Sequence, residues 1–153
     1  MRRDTLDNRG FTLIELLVVA AVLSLLAMLG LLKYTDLRYN AKSAAVAGDI
    51  RSITVAAYNH QAGSGTWAAE TGAGVTPPEL APYLPSMSFN NPDYMLDWDN
   101  LGLGGSNFLV GVTVTTPDPK FMNKLQRYLG TRIPYFAAGG SLTFIIVDAK
   151  GNY

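Results

Sequence analysis

The 153-residue chain contains no cysteine. That excludes disulfides, thiolate metal sites and a thiol nucleophile, while saying little about compartment, because an oxidising space permits disulfides without requiring them. Charge of one sign is also missing. Lys+Arg and Asp+Glu are 12 each, so no net field recruits nucleic acid or an anionic lipid surface. There is one histidine, His60, so a Ser-His-Asp arrangement would have to be built around it and a multi-histidine metal site is excluded. Proline is absent from the whole stretch 11–62, which removes the strongest helix breaker from a third of the chain.

What the chain has in surplus is apolar residues, and they are concentrated near the start. Phe11 to Leu32 is 22 residues with a single charge, Glu15. As a helix it spans roughly 33 Å, about the thickness of a bilayer core. An ordinary secretory signal has a shorter apolar region with a small-residue cleavage site close behind it; here the nearest such pattern is Ala45-Val46-Ala47, well past Leu32. A chain this small could hardly enclose an apolar helix on all sides. A membrane helix is the plain reading, with an uncleaved signal anchor as the competing one. Basic residues flank both ends (Arg2, Arg3 and Arg9 before; Lys33, Arg38, Lys42 and Arg51 after), so charge counting leaves the orientation ambiguous.

Glu15 is the informative residue. An ionised carboxylate inside a membrane helix costs on the order of a few kcal/mol unless it is paired or reaches the headgroups. Nothing in the same segment can pair with it. One reading is that Glu15 sits a turn inside the helix, near headgroups, and favours the N-terminal dipole. The other is that its partner is a positive group on another subunit, such as a free amine on Phe11 created by a cut after Gly10. Charge arguments alone leave both standing.

The run Arg9-Gly10-Phe11-Thr12-Leu13-Ile14-Glu15-Leu16 resembles the processing motif of type IV prepilins and type II secretion pseudopilins, and the long apolar segment behind it extends the match. The resemblance implies a leader at 1–10 removed after Gly10 by a prepilin peptidase, methylation of the new N-terminus Phe11, and a docking role in the filament for Glu15. It implies no enzyme activity of the chain's own. Many members carry a proline near the end of the apolar run; this chain has Leu31-Leu32-Lys33-Tyr34 there, so a kink is in doubt, with Gly30 the only weak helix former nearby.

The helix is expected to continue. Tyr39, Val46, Ile50, Ile53 and Ala57 recur on one helical face, with Lys42, Asp49 and Arg51 off the stripe and Gly63-Ser64-Gly65 as a stop. From Phe11 to Ala62 that is roughly 78 Å of helix. The stripe is expected to pack on the chain's own sheet in preference to a separate coiled-coil partner. Residues 67–91, with Pro77-Pro78, Pro82 and Pro85, read as a connecting loop. Tyr94, Leu96 and Trp98 alternate with Asp97 and Asp99 to predict one strand. Phe108, Val110, Val112 and Val114 predict a second, Leu101 to Asn107 their hairpin connection, and Leu142 to Val147 a third strand. Between the last two strands a short helix is capped by Asp118, opened by Pro119 and ended by Gly130, with Phe121, Leu125 and Leu129 as its apolar face.

The expected fold class is therefore α+β, pilin-like: a long N-terminal helix, membrane-spanning in its first half, packed on a small antiparallel sheet. The divisions are leader 1–10, filament-core helix 11–32, amphipathic continuation 33–62 and head 63–153.

Asp97 and Asp99, with Asp93 and Asn100 nearby, are a weak candidate for acid–base work or for calcium; two acids on the wet face of an edge strand are more often solvated, and no cofactor is expected. The Lys120, Lys124 and Arg127 face of the short helix lacks an aromatic platform beside it, so no nucleic-acid partner is expected. Gly102-Leu103-Gly104-Gly105-Ser106 lacks the Lys-Ser/Thr ending of a phosphate loop.

The leading expectation is a structural subunit of a type IV pilus-like filament or type II secretion pseudopilus, supporting secretion, adhesion or motility. It would be held single-pass in the bacterial inner membrane with its head outside the cytoplasm, then drawn into the filament. The implied partners are further copies or other pilin-like subunits, the prepilin peptidase, an inner-membrane assembly platform and lipid. A membrane-tethered binder of DNA or of a secreted client, and a tethered hydrolase using the aspartates, are the rival readings. Removing the leader leaves 9 Lys+Arg and 10 Asp+Glu, a near-neutral surface compatible with close packing of copies.

Overall fold

A computed structural model describes residues 11–104, 107–130 and 134–147. Helix α1 runs over Leu13–Ser64, followed by strands β1 (Met95–Gly104) and β2 (Asn107–Thr115), helix α2 (Pro119–Leu129), and strands β3 (Tyr135–Ala138) and β4 (Ser141–Val147). The chain divides into two compact units, Met1–Arg38 and Tyr39–Tyr153, and the boundary falls inside α1. The first unit has no core: every described side chain from Phe11 to Arg38 is exposed.

The second unit holds the hydrophobic core. Val46, Ile50, Ile53, Ala56 and Ala57 of α1 are buried in it, so the stripe packs on the chain's own sheet. Tyr39 is only partly buried, and Ser43, which interrupts the apolar spacing, is fully covered. Its hydroxyl donates to the Tyr39 carbonyl at 2.9 Å, so the burial leaves no polar hydrogen unsatisfied. The helix ends at Ser64, two residues beyond the expected Ala62, and Gly65 follows at φ +78°, the left-handed conformation that glycine adopts at least cost.

The sheet is antiparallel, in the order β1-β2-β4-β3. Its core face carries Leu96, Trp98, Val112, Val114, Leu142 and Phe144, all at most 1% exposed. The β1–β2 connection is tighter than expected, since β1 runs on through Gly104 and β2 begins at Asn107. Strand β3 was not expected at all. Tyr135-Phe136-Ala137-Ala138 does not alternate, and three of the four side chains are exposed. The signal that marks it is the turn: Ala138 pairs with Ser141 across Gly139 and Gly140, whose φ values of +58° and +90° suit a two-residue hairpin of the primed type. The β2–β4 register shifts between Val110 and Gly111. A Cβ at 111 would stand 2.5 Å from the Phe144 carbonyl oxygen, so glycine is required at that slip.

Strand β1 is an edge strand, and the loop before it covers that edge. Leu96 donates its N–H to Phe89 O and accepts from Gly74 N, both at 2.8 Å. Trp98 Nε1 and Asn100 Nδ2 donate to Ala68 O at 3.1 and 2.8 Å, and the Asn100 N–H donates to the Glu70 carboxylate. The bonds to the Leu96 N–H and carbonyl and to the Asn100 N–H occupy backbone groups that would otherwise template pairing with another chain. Helix α2 forms as its capping residues dictate: Asp118 Oδ1 accepts from Lys120 N at 2.9 Å and Phe121 N at 3.2 Å, Pro119 opens the first turn, and Gly130 closes the last at φ +59°. Met122 joins Phe121, Leu125 and Leu129 on its buried face.

Candidate assembly site at the start of the long helix

The apolar residues of the first unit have nothing around them. Phe11 is 77% and Leu13 83% exposed, and Val19, the least exposed large apolar residue of the segment, is still 49% exposed. Among the described residues, α1 is the one helix long and apolar enough to cross a membrane, and none of its apolar window is buried. At about 25 cal/mol per Å² of apolar surface, a segment of this length kept in water would cost many kcal/mol. The Ser24 hydroxyl within it donates to the Ala20 carbonyl at 2.7 Å, the back-bond to the preceding turn that serine makes inside helices.

Glu15 does find a partner within its own segment, which corrects the expectation that none existed. Phe11 and Thr12 are outside the helix, and Leu13 is its first residue. Thr12 donates to Glu15 Oε2 twice, from its backbone N–H and from its hydroxyl, each at 2.9 Å. The Glu15 N–H donates in return to Thr12 Oγ1 at 3.3 Å. This is a capping box, in which N-cap threonine and N3 glutamate satisfy each other's orphan donors. Its signature, Thr12-Leu13-Ile14-Glu15, was legible in the sequence. Thr12 is the partner of Glu15 that a reading based on charge alone passes over. Gly10, the residue before the expected cut, lies outside the described residues.

A second set of polar contacts ties α1 to the rest of the larger unit. Lys42 Nζ forms an ion pair with Asp93 and stands 6.0 Å from the Phe121 ring centroid. The Tyr39 hydroxyl donates to Asp118 Oδ2 at 2.9 Å, and the Tyr94 hydroxyl donates to Asp49. The Tyr39 bond, followed by the helix N–H donors, holds the Asp118 carboxyl below its ordinary value. Burial first, then the hydrogen bond to Asp49 and the charges of Asp49 and Asp93, pushes the Tyr94 phenol upward. These contacts join α1 to the loop before β1 and to the cap of α2.

Asp97 and Asp99 are less solvated than expected. Both are half-buried. Asp99 accepts from the Thr113 hydroxyl, which is 2.7 Å from the Thr143 hydroxyl. One oxygen of Asp97 is buried without a hydrogen-bond partner. Burial, then Asp99 and Glu70, raises the Asp97 carboxyl, with the Trp98 N–H acting in the opposite direction. Among the described residues no group of three or more His, Cys, Asp or Glu side chains is arranged to hold a metal ion. His60 lies 3.2 Å from the Ser64 hydroxyl at the end of α1. That hydroxyl donates to the His60 carbonyl, so the pair closes a helix terminus. On α2, Lys120 and Arg127 are exposed and Lys124 is half-buried.

A family model described as the prokaryotic N-terminal methylation motif matches residues 6–31, the stretch that holds the capping box and most of the apolar segment. The chain carries the signature of the type IV pilins and pseudopilins. No curated protein and no solved structure matches the chain. The motif supports a type IV pilin-like subunit, and with it a structural role and membrane anchoring through the apolar helix. It also implies assembly into pilus-like polymers and processing by a prepilin peptidase. The signature thus stands at the start of a chain whose larger unit holds a four-stranded antiparallel sheet and the hydrophobic core.

Proposed function

We propose that the chain is a shaft subunit of a type IV pilus-like filament or type II secretion pseudopilus, cut between Gly10 and Phe11 and N-methylated at Phe11. It waits in the inner membrane with its head outside the cytoplasm and enters the filament through its apolar helix. The observation that carries this reading is a long apolar segment with no buried side chain and one carboxylate at its start. Lipid covers such a helix in the membrane, and the helices of other copies cover it in a filament core.

Glu15 is then the docking acid. In the single chain its Oε2 is held by Thr12, and in the filament the free amine of a neighbouring Phe11 competes for the same carboxylate. An ammonium–carboxylate bond, charged on both sides, outweighs bonds in which only the carboxylate is charged. Replacing Glu15 with Ala should abolish filaments while the head melts as before, read by electron microscopy of sheared fibres and by thermal denaturation. Wild-type filament yield from that variant would end the assembly role. A methylated Phe11 in the mass spectrum of membrane-extracted protein is the expected companion result.

A further inference from the structure

A cleft of about 430 Å³ opens between α1 and the loop before β1. Packing on either side fixes its walls. On α1, Ile50 and Ile53 are buried, and Asp49 between them lines the cleft. On the other side, Leu84 and Phe89 anchor the loop in the core, and the Leu84 N–H donates to Ala81 O at 3.1 Å. The cleft is therefore formed before any ligand arrives, as small-molecule sites largely are. Tyr83, beside the first anchor, lines it and is 46% exposed. Two polar groups in it have bonding capacity to spare. Asp49 Oδ2 accepts from the Tyr94 hydroxyl, and its Oδ1 receives no hydrogen bond from a described residue. The Asn91 N–H donates to the Tyr94 carbonyl at 3.1 Å and Asn91 Oδ1 accepts from Asp93 N at 3.4 Å, which leaves Nδ2 without a partner among the described residues.

These groups narrow the ligand class. Among the described residues lining the cleft there is no Lys, Arg or His, so an anion finds no counter-charge. The single carboxylate has one oxygen committed to Tyr94, too little for a divalent cation that wants six or more oxygens. An acyl chain would bury the open Asp49 and Asn91 groups unpaired. What fits is a neutral molecule that both donates and accepts hydrogen bonds and also has an apolar face. A sugar ring is such a molecule. Its hydroxyls donate to a carboxylate and accept from an amide, and its C–H face packs on an aromatic ring, whose π face is negative. We propose that this cleft binds a neutral saccharide, with Tyr83 as the platform for the ring, Asp49 Oδ1 as the acceptor of its hydroxyls and Asn91 Nδ2 as the donor. Tyr94 is a positioning residue: its hydroxyl occupies Oδ2 and so directs the sugar to Oδ1. The site lies wholly in the second unit, and it is independent of the cut after Gly10 and of docking through Glu15.

The test titrates the full-length chain, in micelles of an amine-oxide detergent that carries no sugar, with methyl glucoside, methyl galactoside and N-acetylglucosamine, and reads amide chemical shifts. A ligand of this size at ordinary efficiency binds with a Kd on the order of 1 mM. Saturable shifts from at least one of the three are expected, confined to Asp49 and its neighbours on α1 and to the stretch from Tyr83 to Tyr94. Tyr83→Ala should weaken that binding about tenfold, whereas Tyr83→Phe keeps the ring and should stay within about twofold of wild type. Tyr83 is half exposed, so both variants should melt as the wild type does. Asp49→Asn still offers an oxygen to the Tyr94 hydroxyl but puts a donor where the open acceptor was, and should also cost about tenfold. The tetrasaccharide of whichever sugar binds separates two sources of the same ring. Equal affinity assigns the cleft to a free or terminal sugar, and a gain above about tenfold assigns it to a polysaccharide. No saturable shift from any of the three sugars up to about 50 mM overturns the proposal. Undiminished binding by Tyr83→Ala overturns it as well, because the sugar would then sit elsewhere. Inorganic phosphate should leave the cleft unshifted, and saturable binding of phosphate there would overturn the neutral class.

Discussion

Residues 13–38 and 39–64 are two stretches of one helix with opposite relations to their surroundings. In the first, apolar side chains point in every direction and none is buried. In the second, Val46, Ile50, Ile53, Ala56 and Ala57 hold one face and all are buried, while Asp49 and Arg51 lie off it. The first stretch is the more apolar, yet it contributes nothing to a core. Burial comes from one-sidedness together with something to pack on. A helix apolar all round is stable only where its whole environment is apolar.

That contrast is most easily broken by matched truncations. Ile53→Ala, at a fully buried position, should destabilise the head by about 2–5 kcal/mol, measured by chemical denaturation in detergent. Leu25→Ala, at a position 65% exposed, should leave head stability within about 0.5 kcal/mol of wild type. Equal losses from both would mean that the first stretch shares the head's core after all.

A smaller effect sharpens the contrast at the boundary between the two units. Asp118→Ala removes the α2 cap and the acceptor of the Tyr39 hydroxyl, and should cost about 1 kcal/mol. Its carboxyl is held below the ordinary value of 3.8. The stabilisation from this group is therefore complete above that value and is lost as the pH falls through the lower folded value. Wild type and variant should converge in strong acid, and a gap that persisted there would assign the loss to packing.

The smallest expected effect is a gain. Asp97 is raised above its ordinary 3.8 by burial and by Asp99 and Glu70, so ionising it works against the folded state. That penalty is full above the raised value and absent below the ordinary one. Asp97→Asn should raise the melting temperature slightly at neutral pH, with the advantage vanishing in acid; solvent screening keeps it small. A lower melting temperature at neutral pH would show that the carboxylate holds a stabilising partner.

How much of this was legible depended on distance along the chain. Helix α2 was readable to its ends because Asp118, Pro119 and Gly130 act on backbone groups within one turn of themselves. The stripe on α1 was readable as a period, but Ser43 and Ala56 were not, since neither is marked as core by type; only the close approach of packed neighbours buries them. Strand β3 was missed because it is four residues long and mostly exposed, though Gly139-Gly140 marked its turn. The half-burial of Asp97 and Asp99 was missed because their alternation with Leu96 and Trp98 predicts a wet face, and alternation carries no information about what lies above it. Thr12 was passed over for a different reason. Its pairing with Glu15 is a three-residue spacing, but attention to charge looked for a cation and not for a hydroxyl.

The amino-acid sequence by itself determined the long helix, its unbroken apolar start, the capping box, the caps of α2 and the N-terminal signature. Each depends on residues within a few positions of one another, where backbone geometry leaves little choice. Only the tertiary structure decided which apolar residues become core, how β4 comes to lie between β2 and β3, and that Tyr39 meets Asp118 across 79 positions. Those outcomes depend on the closure of long loops and on the competition among many surfaces for burial, and no local pattern encodes that competition.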